Sequence, residues 1–318
     1  YKQHPLNKQY DLDTALTSIW EFYKKWFGSL FVISFVFSLI ITYISGRVDI
    51  SDIYSVTDPE EMMAIAGSMI GPYFLILLFT FVFSLILQYY VLRKPVDPES
   101  NIVSIGSTGL ARFFLPLLVL NIILALFALV AIMLGVLLLF VGALFAIVYV
   151  AMLYAFIAPV LMIERPDISD TIRTTISLAH KRFWPNMGWV AVFVILIMVI
   201  SFVLGAIIMI PFGGSFIRTI TSPENASELL DLTSRPSFII LNALANALTM
   251  PLFPIFSLVL YFNSRSGYTA GLISDKNDDD KGRPVKVEDL YADMSGKSKK
   301  KLNSQADPPP PSVDDLTP

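Results

Sequence analysis

Long apolar runs alternate with short polar passages along this chain, and the longest polar passage between two runs is Asp167 to Gly188. Within it Ile168, Ile172, Ile176 and Ala179 recur at i, i+4, i+8 and i+11, the spacing of one helix face. Thr171, Arg173, Thr174, Thr175 and His180 fall mostly elsewhere. The passage closes on a basic pair and an aromatic pair, Lys181-Arg182-Phe183-Trp184, and Trp189 opens the next apolar run. A helix lying in the membrane surface and leading into a span has this order. The segment Asp11 to Lys25 reads the same way. Asp11 or Asp13 caps it, and Leu12, Leu16, Ile19, Trp20 and Tyr23 form its apolar face.

The apolar runs are long enough to cross a bilayer. They place spans at about 26–44, 69–92, 189–210 and 238–262, with a surface helix at 167–187. Residues 113–163 carry no charge, and at ~1.5 Å per residue a single helix there would exceed twice the ~30 Å hydrocarbon thickness. Two spans, 113–134 and 137–163, fit better, with the turn at Gly135 or alternatively at Gly142. Ser45 to Ser68 reads as an acidic loop, and Ile102 to Leu110 as a further short surface helix. In the 211–236 loop, Ser222 with Pro223 opens a short helix. From Asn263 onward Asp278-Asp279-Asp280, a lysine run and four consecutive prolines read as a disordered tail, 263–318. The expected fold class is therefore all-α: a polytopic integral membrane protein of six transmembrane helices in three hairpins, with amphipathic surface helices.

Composition sharpens this picture. Residues are 55% hydrophobic and 15% charged, against about 25% charged in a soluble domain. The net charge of −3 excludes a nucleic-acid partner, and the absence of cysteine excludes disulfides and thiolate chemistry. Residues 1–25 hold no apolar run of signal-peptide type, so the first span is expected to direct insertion. Lysine and arginine cluster before span one (Lys2, Lys8, Lys24, Lys25), between spans two and three (Arg93, Lys94, Arg112), between spans four and five (Arg165, Arg173, Lys181, Arg182) and in the tail. The other side holds only Arg47, Arg218 and Arg235. The positive-inside rule then puts both termini and the surface helices in the cytoplasm, in the cell membrane.

The two surface helices also align with one another. At an offset of 157 residues, Asp13-Thr14 meets Asp170-Thr171, Thr17-Ser18-Ile19 meets Thr174-Thr175-Ile176, and Lys24-Lys25-Trp26-Phe27 meets Lys181-Arg182-Phe183-Trp184. A weaker third copy runs from Ile102 to Phe114. Three units, each a surface helix followed by a transmembrane hairpin, is the suggested architecture.

Candidate chemistry is sparse. No ionisable residue falls in a span core, which argues against ion-coupled transport. Gln88, Asn121, Asn242 and Asn246 are candidate interhelical polar contacts, worth ~0.6 kcal/mol each in membranes. Pro251 and Pro254 are expected to kink span six. Lys24, Lys25, Arg112, Arg173, Lys181 and Arg182 are candidate contacts to anionic lipid headgroups, at about 1 kcal/mol each. His180 reads as interfacial, and Glu164-Arg165 as marking the membrane edge, with pairing to a neighbouring helix as the alternative. No nucleophile, paired carboxylates, metal cluster or cofactor motif is present, so a non-enzymatic scaffold or accessory subunit is expected, with membrane lipids and a protein docked on the tail as partners. A transporter or lipid-handling protein with a path between the hairpins is the alternative.

The passage from Ala158-Pro159 through Ile163-Glu164, the Thr-rich helix, Phe183-Trp184 and Gly188 resembles the membrane domain of bacterial membrane-anchored glycerophosphodiester phosphodiesterases and related uncharacterised six-span proteins. The opening DLDTALTSIWEFYKKWF is similar to that family's first helix. The resemblance covers roughly residues 11–268 and implies a six-span membrane domain. It does not extend to the enzymes' soluble barrel, since residues 263–318 are far fewer than the roughly 250 that a barrel needs.

Overall fold

The computed structural model describes residues 1, 3–48, 58–138, 141–164, 167–214 and 234–281, with side chains described as far as Ser266. Its helices are α1 (Leu12–Lys25), α2 (Phe27–Ser45), α3 (Pro59–Arg93), α4 (Ile102–Leu137), α5 (Val141–Pro159), α6 (Ile168–Lys181), α7 (Phe183–Met209), α8 (Pro236–Thr249) and α9 (Leu252–Lys281). A π-turn, Val160–Glu164, extends α5, and a 3-10 turn, Ile210–Phe212, ends α7. The chain divides into two units, Tyr1–Tyr268 and Thr269–Pro318, and all the spans lie in the first.

Six stretches are long and apolar enough to cross a membrane: Phe27–Ser45, Pro59–Arg93, Ile102–Leu137, Val141–Glu164, Phe183–Phe212 and Pro236–Ser266. Their outer faces carry bare apolar side chains, such as Phe74 at 63% exposure, Leu126 at 64% and Phe202 at 78%. A soluble protein does not present so much continuous apolar surface to water, whereas a bilayer covers it. This is a multi-pass, all-helical membrane protein.

The spans pack in chain order. α2 lies on α3, α3 on α4, α4 on α5, α5 on α7, α7 on α8, and α8 returns to α2, closing a ring. Burial is concentrated at the end of the ring that carries α1 and α6, called here the basic end. There the last turns of α3 (Leu87 to Leu92), of α5 (Ala155 to Met162) and the first turns of α9 (Ile255 to Ser264) are buried on every side. A helix that is apolar all round belongs in such a centre.

Several boundaries differ from those the sequence suggests. α3 begins at Pro59, inside the expected acidic loop, because Asp58 caps it and proline fits its first turn. The expected surface helix 102–110 and span 113–134 are one continuous helix, with Pro116 inside it. α6 stops at Lys181 and the next span starts at Phe183, not Trp189, since Pro185 is tolerated in a first helical turn. Span six is interrupted at Met250–Pro251 and resumes at Leu252, as the two prolines suggest. α9 then continues to Lys281, into the segment expected as tail. Residues 282–318 and the short helix expected at Ser222 lie outside the described residues.

Both candidate glycines serve the turn between α4 and α5. α4 ends at Leu137 and α5 begins at Val141. Gly135 and Gly142 face one another so closely that a Cβ on Gly135 would lie 2.7 Å from the backbone of Gly142 and Ala143. A Cβ on Gly142 would lie 2.7 Å from the Gly135 carbonyl oxygen. The two backbones touch where neither has a side chain.

The internal repeat is visible in the fold, at a register one residue from that read in the sequence. Both surface helices are 14 residues long. Asp11 caps α1 by accepting from the Thr14 N–H at 2.9 Å, and Asp167 caps α6 by accepting from the Asp170 N–H at 2.7 Å. These caps, and the single-residue breaks at Trp26 and Arg182, are 156 residues apart rather than 157. The buried positions follow the same shift. Ala15, Ile19, Phe22 and Tyr23 of α1 match Thr171, Thr175, Leu178 and Ala179 of α6. The middle copy is displaced by 90 residues: Asn101 is its cap, Ile105, Gly109 and Phe113 match the buried Ala15, Ile19 and Tyr23, exposed Arg112 stands in the place of buried Phe22, and Pro116 stands where the other copies break.

The buried faces also correct the expected ones. In α1, Leu12 and Trp20 are exposed while Ala15 and Phe22 are buried. In α6, Ile176 is exposed and the row Thr171, Thr175, Leu178 turns inward. A surface helix beside a bundle has three environments (bundle, bilayer and water), so its most apolar row need not be its packed row.

Candidate functional site

Cations and aromatic rings surround the basic end. Lys24 lies over the Trp20 ring at 5.8 Å, Lys25 over Trp26 at 6.0 Å, and Arg112 over Phe113 at 5.7 Å. Arg173, Lys181 and Arg182 are exposed on α6 and at its end. Among the described residues, the ion pairs are Arg93–Asp97 at 3.1 Å and Arg265–Glu164 at 3.5 Å, so Lys24, Lys25, Arg112, Arg173 and Arg182 carry no carboxylate partner. Exposed cations above a wide apolar surface suit anionic headgroups, and the indole and phenyl rings suit the depth just beneath them.

Two grooves open between these elements. One, of about 500 Å³, runs between Arg112, Phe113 and Pro116 of α4, Leu161 of the π-turn and Asp167–Ile168. The other, of about 540 Å³, lies between Trp20, Lys24 and Phe27, Ile200 and Leu204 of α7, and Leu248 and Leu252 at the break in span six.

Within the basic end, polar side chains satisfy backbone groups that the helices leave open. The Asn186 amide donates to the carbonyls of Leu178 at 3.1 Å and Ala179 at 3.3 Å, two of the four that the end of α6 leaves unpaired. Its own carbonyl oxygen accepts from the Ser264 hydroxyl at 3.0 Å. One buried side chain therefore joins α6, α7 and α9. Replacing Asn186 with alanine is expected to cost about 2 kcal/mol, because buried carbonyls lose their donors, measured as a lower unfolding midpoint in mild detergent. Pro159 has no N–H to offer the Ala155 carbonyl four residues back, and the Ser257 hydroxyl donates to it instead. The break at Pro251 leaves the Leu248 carbonyl open, and the Tyr23 hydroxyl donates to it at 3.0 Å.

Residues 3–10 pack into this end. Leu6 is buried, and the Tyr10 N–H donates to the Asn263 side-chain oxygen at 3.0 Å. His4 is buried between Phe22 and Phe262 (ring centroids 6.1 and 5.4 Å away), with Nε2 3.2 Å from the Val91 carbonyl and Nδ1 accepting from the Leu6 N–H. Burial pulls its pKa down to about 4 against the opposing pull of the Val91 carbonyl, so the ring is neutral at pH 7.

The candidate interhelical residues behave unequally. The Gln88 amide donates to the Ser84 hydroxyl, which lies 3.2 Å from the Tyr154 hydroxyl, so this set does link α3 to α5. Asn121 donates to Leu117 in its own helix, and Asn246 donates to Asn242 in its own. Glu164, read as a membrane-edge marker, accepts from the Tyr261 hydroxyl at 2.8 Å and pairs with Arg265, tying the π-turn to α9. His180 lies 3.3 Å from the Tyr149 hydroxyl and stacks on Phe183. The linking residues Asn186, Ser257 and Ser264 carry no sequence signal of their own. Pro159 and the end of α6 do, since each leaves carbonyls that something must satisfy.

Comparison with family models, with curated proteins and with solved structures finds no match to this chain.

Proposed function

We propose that the protein is a non-enzymatic scaffold or accessory subunit of the cytoplasmic membrane, with both termini in the cytoplasm, that holds anionic lipid headgroups around its basic end. The observation that carries this reading is the convergence of Lys24, Lys25, Arg112, Arg173 and Arg182, exposed and without a carboxylate partner among the described residues, near aromatic rings where the surface helices enter the spans. The tail is the proposed docking point for a protein partner. Relationship to the membrane domain of the anchored glycerophosphodiester phosphodiesterases is part of the proposal, supported by Pro159, Glu164, the amphipathic α6 and Phe183-Trp184 in that order.

Lipid co-purifying with the full chain is the test. Charge reversal of Lys24, Lys25, Arg112 and Arg182 together is expected to remove an enrichment of anionic over zwitterionic lipid, at about 1 kcal/mol per cation. Equal enrichment in the variant and the wild type would overturn the reading. Because the sequence has no cysteine, single cysteines at Lys8 and Glu60 report sidedness: labelling of Lys8→Cys only from the cytoplasmic side supports the proposed orientation.

One observation favours a second reading, lipid handling: the groove at Leu248–Leu252 meets a broken span, and broken helices line binding sites in transporters. Lipid movement in reconstituted vesicles, lost when Leu252→Trp fills the groove, supports it, and no movement in the wild type excludes it.

A further inference from the structure

A third, smaller hollow differs in kind from the two grooves. It lies between α4, α5 and α6, with about 160 Å³ of space, and its floor is Leu120, Leu124, Leu153 and Ile157. These four side chains are at most 9% exposed. Its rim is Ile123 at 42% exposure, Phe127 at 43% and Ile176 at 44%, on the apolar outer surface that a bilayer covers. The space is comparable to the ~150 Å³ of an apolar cavity that stays dry and takes up a benzene-sized guest.

Two lining residues carry a hydroxyl, Tyr149, whose oxygen lies 3.3 Å from His180 Nε2, and Thr175. Thr175 lines the hollow, is 3% exposed, and its hydroxyl has no hydrogen-bond partner among the described residues. Helical threonines ordinarily bond a carbonyl one turn back, as Thr171 does to Asp167. A buried hydroxyl left open loses the hydrogen bonds that water gives it in the unfolded chain. The internal repeat makes this residue more pointed. At the 156-residue offset Thr175 occupies the place of Ile19, which is 5% exposed and packed in the core. Where the first copy fills the space under its surface helix with an isoleucine, the third copy leaves a hollow with a threonine in its wall.

We propose that this hollow seats the first few methylenes of an acyl chain of a membrane glycerophospholipid, the rest of the chain running on into the bilayer, with the Thr175 hydroxyl donating to the chain's ester carbonyl. Apart from Thr175 and Tyr149 the lining is hydrocarbon, the rim opens sideways to the bilayer, and α6 is an amphipathic surface helix, so the hollow beneath it lies at the depth where ester carbonyls meet chains. A free fatty acid or a sterol offers either a charge that the lining does not compensate or a ring system larger than the space. The seat depends on the geometry of α4 to α6 and not on the basic ring, so it stands or falls apart from the preference for anionic lipid.

The test uses the full chain in nanodiscs of zwitterionic phosphatidylcholine at high salt, where headgroup attraction is screened. The probe is a phosphatidylcholine carrying a photoreactive diazirine near the start of one ester-linked chain. Labelling is expected on Ile123 to Phe127 and on Ile172 to Ile176. The ether-linked analogue, which lacks the carbonyl, is expected to label these sites about three- to tenfold less, the worth of one hydrogen bond. Thr175→Val should reduce ester labelling by the same factor and leave ether labelling unchanged. Leu124→Trp, which fills the floor, should abolish both. Equal labelling by ester and ether lipids in the wild type would overturn the proposal without recourse to any variant, as would undiminished labelling in a folded Leu124→Trp protein.

Discussion

Replacing Gly135 or Gly142 with valine is expected to disrupt the central hairpin more severely than any other single change described here. A Cβ at either position meets backbone atoms at 2.7 Å, a separation that real Cβ contacts do not show, and the obstructing atoms belong to the main chain of the facing helix. A flexible side chain can swing aside, but a backbone carbonyl in a helix cannot without breaking its own bonds. Overpacking costs 1–3 kcal/mol where side chains can adjust. Here the expected cost is more than ~3 kcal/mol, with α4 and α5 forced apart along their length. Unfolding of the purified protein, titrated in SDS against mild detergent, measures it. Gly205→Val is the control, since a Cβ there meets nothing within 4 Å.

Acidification from pH 7 to pH 4 is expected to destabilise the protein through His4 by up to about 3 kcal/mol. Its folded pKa is about 4, below the ordinary 6.5 that it regains on unfolding. Between those values the unfolded chain binds more protons than the folded one, so stability rises with pH through that window. The contribution is fully present above about pH 6.5 and is lost as pH falls towards 4. At 1.36 kcal/mol per pKa unit the displacement sets the size of the effect. The physical cause is burial of the ring between Phe22 and Phe262, which strips a positive charge of its hydration. His4→Phe keeps the stacked ring and cannot take up a proton, so its melting temperature should lose this part of the pH dependence. A wild-type slope that His4→Phe leaves unchanged would assign the dependence to other groups.

The spans were legible in the sequence because transmembrane length and apolarity are properties of single segments. All six stand out in the sequence, and the lysine and arginine bias, with Arg112 and Arg165 on one side, supports splitting the uncharged run 113–163 in two. What was not legible depends on neighbours. The apolar row of α1 reads as its packed face, yet Trp20 looks outward and Phe22 inward, because the helix lies between a bundle and a bilayer and both accept apolar groups. The repeat was found one residue out of register for a related reason. Matching Lys24-Lys25 with Lys181-Arg182 aligns the exposed charges, while the caps Asp11 and Asp167 and the packed positions align at 156. Gly135 and Gly142 appeared as alternatives for one turn because a sequence does not reveal that two glycines meet. The candidate headgroup cations were readable from charge alone. The residues that bind the basic end together were not, since Asn186 is one polar residue at the head of an apolar run until the unpaired carbonyls of α6 are set beside it.

The uneven distribution of burial bears on how the molecule meets bilayers of different thickness. Beyond Phe193, α7 contributes no buried side chain to the packing, and between Pro59 and Phe81 only Met69 of α3 is buried. A thinner or thicker membrane exerts a modest force on every span, a fraction of a kcal/mol per ångström. The interlocked basic end resists that force, so tilt develops in the outer halves of α3 and α7. Those two are rods held at one end and free to adjust at the other, while α4 and α5 stay pinned to one another at Gly135 and Gly142.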